Sequence, residues 1–192
     1  MLTVPEEAVA PLLGWYGANK RSLPWRDNPT PYRVWISEIM LQQTRVEAVK
    51  PYYRRFMAEL PDVESLAAVD DDRLMKLWEG LGYYSRARNL KKAARLVVDE
   101  YGGVFPHSRG ELLKLPGVGD YTAGAVASIA MNLPEPAVDG NVLRVVSRLT
   151  GSREDIAKPQ TTQAVSEPRR KIYPPGRCGG FTQARMEPGA TG

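Results

Sequence analysis

A chain of 192 residues, 43% hydrophobic and 25% charged, holds enough apolar material for one sizeable core or two small lobes. Its formal charge of +4 suits a polyanionic partner, though not only that, while one cysteine (Cys178) and one histidine (His107) exclude an intrachain disulfide, a multi-histidine metal site and a four-cysteine cluster. No run of about 20 apolar residues and no secretory signal is present, so no membrane partner is expected and a cytoplasmic, nucleoid-associated location is.

Apolar residues recur at three- and four-residue spacing without sustained alternation, which predicts an all-α fold; no internal repeat is evident. Thr30-Pro31 opens a predicted helix running to about Val46. On it Glu38 shares a face with Val34, Leu41, Gln42 and Arg45. A carboxylate there is either a solvated helix glutamate or a partly desolvated general acid with a raised pKa. Gln42-Gln43-Thr44 adds amide and hydroxyl groups suited to reading base edges. Pro51 is expected to open the next helix, and Ser65 and Asp70 to Asp72 two short ones. Ser85 to Tyr101 reads as a longer helix ended by Gly102-Gly103. Its Arg86, Arg88, Lys91 and Lys92 are either phosphate contacts or an ordinary solvated face.

The most informative stretch is Leu115-Pro116-Gly117-Val118-Gly119-Asp120. Ser108-Arg109-Gly110-Glu111 has capping-box spacing and starts a short helix, Pro116 stops it, and Asp120 starts another. Gly117 and Gly119 permit a tight turn whose N–H groups, including that of Val118, can face an anion beside a helix N-terminus. The alternative is an ordinary loop between packed helices. Downstream, Asp139-Gly140-Asn141 leads into an amphipathic helix from Val142 to Leu149. Asp139 is either a helix cap or a carboxylate that stabilises positive charge on a sugar, with Glu38 as the acid. From about Glu154 prolines and glycines dominate and large apolar residues thin out, which predicts a poorly ordered or loosely docked tail.

These motifs, with Leu23-Pro24-Trp25-Arg26 and Gly80-Leu81-Gly82-Tyr83-Tyr84-Ser85-Arg86, resemble MutY-type adenine DNA glycosylases of the helix-hairpin-helix superfamily over residues 12 to about 150. The resemblance implies a two-lobed fold. A six-helix barrel is expected over about 22–135, with the hairpin motif at about 111–132. The second lobe joins 1–21 to 136–192, and the site lies in the cleft between the lobes. The implied partner is double-stranded DNA carrying adenine opposite 8-oxoguanine or guanine, bound by a monomer, with the adenine extruded.

The resemblance also implies residue roles. Glu38 protonates adenine and later helps to activate water, Asp139 stabilises the sugar cation, and Tyr121 completes the pocket. Tyrosine stands where bifunctional relatives carry a lysine, so no lyase step is expected. Trp25, Arg26 and Leu41 are placed near adenine. Gln43, Thr44 and the wedge Tyr83 are placed near the opposing guanine, Gln42 and Asn141 in the surrounding DNA contacts, and Glu187 in the pocket.

Three departures from the family pattern stand out. Pro188 is expected to disturb a helix that the family continues. The cysteines of the family's [4Fe-4S] cluster fall just past Gly192, and Cys178 comes too early to substitute, so neither a metal nor a cofactor is expected in this chain. Nor is the family's 8-oxoguanine-recognising domain expected within these 192 residues. Two readings stay open: a working glycosylase, and an inactive remnant or DNA-binding module. Packing of residues 137–187 against the helix around Leu12 to Tyr16 discriminates between them. A thymine- or uracil-mismatch glycosylase is a third reading, which Glu38 disfavours.

Overall fold

The computed structural model describes residues 6–156, 158–166 and 172–191. Among them it contains eleven α-helices and no strand. These are α1 (Val9–Asn19), α2 (Pro31–Leu41), α3 (Val46–Glu59), α4 (Val63–Ala68), α5 (Asp71–Trp78), α6 (Ser85–Tyr101), α7 (Arg109–Leu112), α8 (Asp120–Ala125), α9 (Gly140–Thr150), α10 (Pro159–Ser166) and α11 (Cys178–Thr191). No helix among the described residues is long and apolar enough to cross a membrane.

Local chemistry sets most boundaries. The Thr30 hydroxyl accepts from Arg33 N–H at 3.3 Å, and Pro31 takes the first helical position of α2. Asp62 and Ser65 form a reciprocal capping box, so Ser65 is the third residue of α4 rather than its start. Asp70 caps α5, and α6 ends on Gly102 in the left-handed region at φ +61°. Two further boundaries depart from expectation. Helix α2 stops at Leu41 because Gln43 adopts φ +58°, which a right-handed helix cannot include. Pro51 lies inside α3 rather than opening it, since α3 already starts at Val46.

Contacts divide the chain into two compact units, Ser22–Ala123 and Met1–Arg21 with Gly124–Gly192. In the first, α6 packs on α4 and α5, and α2 on α3. Trp35, Phe56, Trp78, Ile36, Met40, Leu66, Leu74, Leu90 and Leu112 form its fully buried centre. Edge-on ring pairs join Trp35 to Phe105 at 5.3 Å and Phe56 to Trp78 at 6.2 Å.

In the second unit α11 packs on α1, on α9 and on the π-helical turn Val126–Ala130 that continues α8. The boundary therefore falls at 123/124, twelve residues before the expected 135/136. Three contacts draw this segment in. Gly124 lies against the backbone of Pro136 and Ala137, the Thr182 hydroxyl donates to Ser128 Oγ at 2.8 Å, and Asn132 Oδ1 accepts from Cys178 N–H at 2.7 Å. A Cβ on Gly124 would overlap the Pro136 carbonyl oxygen and come within 2.9 Å of its carbon. Gly124→Ala is accordingly expected to cost about 1–3 kcal/mol by urea unfolding. Gly17→Ala, with nothing within 4 Å of its Cβ, is expected to gain roughly 0.5–1 kcal/mol.

The expected loose tail is corrected here for its described part; residues 157, 167–171 and 192 lie outside the described residues. Helix α11 buries Cys178, Phe181 and Ala184 against Leu13 and Tyr16 of α1 and against Tyr173. The Tyr16 hydroxyl donates to Gln183 Oε1 at 3.1 Å. Val165 of α10 joins Val142, Leu143 and Val146 of α9 in a second cluster. Composition misleads because Gly179 serves close packing: a Cβ there would lie 2.8 Å from the Ile129 carbonyl oxygen. Pro188 sits inside α11 near its end, although it has no N–H for the Ala184 carbonyl.

Candidate nucleic-acid interface and catalytic residues

In the Ser22–Ala123 unit one buried cation organises two exposed loops. Nη1 of Arg86 donates to the carbonyls of Ile39 (2.8 Å), Met40 (3.1 Å) and Gln42 (2.7 Å). Nη2 donates to the carbonyls of Leu81 (3.1 Å) and Gly82 (3.2 Å) and reaches Thr44 Oγ1 at 3.5 Å. The C-terminus of α2 and the turn before α6 are thus pinned to one guanidinium. Burial pulls the Arg86 pKa down, and the negative charge that Tyr83 carries when ionised pushes it up. This corrects the reading of Arg86 as a phosphate contact. The same holds for Lys91, which is buried in an ion pair with Asp71.

Each pinned loop presents a non-glycine residue in the left-handed region, Gln43 at φ +58° and Tyr83 at φ +47°. Such backbone is costly, of order 1–3 kcal/mol per residue, and clusters at functional sites. Tyr83 is 64% exposed, which an aromatic wedge requires and a core aromatic does not show. Its ring lies 5.8 Å from the Arg86 guanidinium. Gln43 is exposed, while Gln42 and Thr44 are half-buried.

The hairpin lies alongside. Gly117 has φ +78°, and a Cβ there would come 2.9 Å from Asn89 Cβ of α6, so glycine is needed twice over. Val118 is buried and its N–H donates to the Leu115 carbonyl at 3.1 Å, so neither the side chain nor the N–H of Val118 is free to meet a ligand. Gly119 is exposed and precedes α8, whose first-turn N–H groups have no intrahelical acceptor. Asp120 pairs with Arg109 at 2.8 Å, and Tyr121 is half-buried one residue further on. A cavity of about 220 Å³, lined by Gln42, Ser85, Arg86, Asn89, Pro116 and Gly117 among others, adjoins both loops and the hairpin.

Glu38 lies in the middle of α2 and is only 9% exposed, so it is not a solvated helix glutamate. Gln42 and Arg45, expected on its face, fall beyond the end of the helix. Trp25 is buried edge-on to Tyr53 at 5.4 Å, in a turn closed by Arg26 N–H donating to the Leu23 carbonyl at 2.9 Å. Arg26 and Leu41 are half-buried.

The other unit carries Asp139, Asn141 and Glu187. Asp139 caps α9: Oδ1 accepts from Val142 N–H at 2.8 Å and Oδ2 from Asn141 Nδ2 at 3.0 Å. Asn141 Oδ1 in turn accepts from Arg144 at 3.1 Å. Glu187, expected to line a substrate pocket, is instead held in a bidentate ion pair: Arg21 Nε donates to Oε1 at 2.8 Å and Nη2 to Oε2 at 3.1 Å. The pair ties α11 to the chain just past α1.

Sequence reasoning missed Arg185. It is buried between the Tyr173 and Phe181 rings, and its Nη2 donates to the Ala137 carbonyl and the Tyr173 hydroxyl, each at 3.1 Å. Its Nε and Nη1 have no hydrogen-bond partner. Burial lowers its pKa, while Tyr173 and Asp139 raise it. An arginine among glycines and alanines carries no local sign that it will be buried.

A [4Fe-4S] cluster needs four thiolates. This chain supplies Cys178, whose buried thiol donates to the Pro174 carbonyl at 3.6 Å and whose pKa burial pushes up, away from the thiolate. No group of three or more His, Cys, Asp or Glu among the described residues is placed to hold a metal. The residues present do not fit that cluster.

The profile of the HhH-GPD superfamily base excision DNA repair protein matches residues 36–171. The chain is 44% identical over 189 residues to the adenine DNA glycosylase of Mus musculus, covering 94% of this chain and 37% of that protein. It therefore spans well under half of that relative's length. Among solved structures it is similar to a thermostable thymine-DNA glycosylase (TM-score 0.86, 30% identity, covering 97% of this chain and 86% of that one). It is also similar to endonuclease III in a non-covalent complex with DNA (TM-score 0.75, 25% identity, covering 96% and 85%).

Proposed function

Because this chain belongs to the HhH-GPD superfamily of base excision DNA repair proteins, we propose that it is an adenine DNA glycosylase, hydrolysing the N-glycosidic bond of adenine opposite 8-oxoguanine or guanine. The observation that carries this reading is the burial of Glu38, 9% exposed on α2, in a chain 44% identical to an adenine DNA glycosylase. A carboxyl group held on a helix out of bulk water is the kind of side chain that serves as a positioned general acid.

In this reading the wedge Tyr83 fills the stack as adenine leaves it. Glu38 donates its proton to N7, and the bond from the base to the sugar breaks with its electron pair moving to the base. Asp139 stabilises the positive charge left on the sugar. Water then adds to the sugar carbon and loses its proton to Glu38, which is restored. The products are free adenine and an abasic site in an unbroken strand. Tyr121 carries no amine, so no Schiff base and no strand cut follow.

The likeness to a thymine-DNA glycosylase at TM-score 0.86 supports a second reading, in which thymine opposite guanine is the substrate. Single-turnover assays on duplexes carrying adenine opposite 8-oxoguanine, adenine opposite guanine, and thymine opposite guanine separate the two. The expected result is adenine release from the first two, with strand breaks appearing only after alkali. Thymine release would favour the second reading, and duplex binding without release of any base would leave a DNA-binding module.

A further inference from the structure

The exposed cations of α6 pose a question that the proposed reaction does not answer. Of the four basic residues near its start, Arg86 and Lys91 are turned inward, whereas Arg88 and Lys92 remain exposed, with Arg95 one turn beyond. Arg88 and Lys92 stand at i,i+4, and Lys92 and Arg95 at i,i+3, so each cation has another as its helical neighbour. Like charges at these spacings destabilise a helix. No carboxylate offsets them at helical spacing on the N-terminal side of Arg95. Arg95 itself has Asp99 at i,i+4 and lies within electrostatic reach of Asp71, which pairs with Lys91, so the uncompensated cations are Arg88 and Lys92. Arg88, Lys91, Lys92 and Arg95 line a groove of about 220 Å³ with Asp71, Leu74 and Met75.

The position of this stripe points to its ligand. Arg88 follows the exposed Tyr83 by five residues, and Asn89, beside it, touches Gly117 of the hairpin. From Arg88 to Arg95 the helix rises about 10 Å, enough for cations on one face to reach neighbouring phosphates of one DNA strand. We propose that Arg88, Lys92 and Arg95 form a phosphate-binding track for the DNA duplex, continuing from the wedge and hairpin along α6. It rests on the reading of this protein as a duplex-DNA enzyme and adds a sequence-independent share of affinity. The track grips backbone and leaves base recognition to other residues.

The test is the salt dependence of binding to a plain duplex without a mispair, measured by fluorescence anisotropy. Arg95 is left intact because its Nε donates to the Ala67 carbonyl at 3.3 Å. For Arg88→Gln/Lys92→Gln the slope of log K against log salt is expected to be shallower by about 1.8, two phosphate contacts at about 0.9 each. Arg54→Gln/Lys158→Gln, of equal net charge, serves as the control and is expected to keep the original slope. An unchanged slope in the α6 variant, or an equal loss in the control, overturns the track while leaving the proposed reaction standing. If the unsubstituted protein binds no duplex at all, both fall together.

Discussion

Glu38→Gln is expected to slow single-turnover adenine release by about 10²–10⁴-fold, the usual contribution of a positioned general acid. Glutamine keeps the volume and the hydrogen-bonding reach of the side chain but has no transferable proton at neutral pH. The buried position on α2 makes the substitution informative, since a carboxyl that is 9% exposed is costly unless it is used or well paired. The variant is expected to unfold within about 2 °C of the unsubstituted protein and to bind mispaired duplex with similar affinity. Rate, Tm and affinity measured on the same samples separate catalysis from support. A rate within threefold of the original, or a loss of rate matched by a loss of folded protein, would remove Glu38 from the chemistry.

Arg86→Leu is expected to be the most damaging single change to stability, at about 3–5 kcal/mol. The guanidinium serves five carbonyls from two loops, and an apolar replacement leaves the buried ones, of Ile39, Met40 and Leu81, unsatisfied. The corresponding fall in Tm is roughly 6–20 °C for a chain of this length. Lysine is not expected to rescue it, because a single ammonium cannot span both loops as the planar fork does. A calorimetric Tm within about 2 °C of the original for Arg86→Leu would show that the loops hold without the clamp. Gln43 and Tyr83 both carry left-handed backbone next to this clamp, so loss of the clamp should also weaken duplex binding before the protein unfolds globally.

Secondary structure was readable along the chain wherever a few neighbouring residues decide it. The helical period, the Thr30-Pro31 start, the run from Ser85 to Tyr101, the glycine hairpin and the Asp139 cap each depend on contacts within four or five positions. The family resemblance drew on the same local motifs, which is why it pointed to the HhH-GPD superfamily. Glu38 was recognisable as a candidate, but whether water reaches it was not, since that depends on what packs over α2.

The tertiary structure decided four things that periodicity and caps cannot reach. Arg86 and Lys91 look like exposed cations in sequence, yet the carbonyls of Ile39 to Gln42 and the carboxylate of Asp71 draw them inward. Glu187 finds Arg21 at a sequence separation of 166 residues. In the last segment, whose glycines read as signs of disorder, Gly179 lets α11 approach the turn after α8 closely, and Phe181 and Ala184 are buried against α1 and Tyr173. The unit boundary moves to Gly124 for the same reason. By itself the sequence determined which helices form and where most of them begin, because caps, periods and turns are local. Which charges face solvent, and where one unit gives way to the next, was decided by partners far apart in the chain, whose burial exists only once the chain has packed.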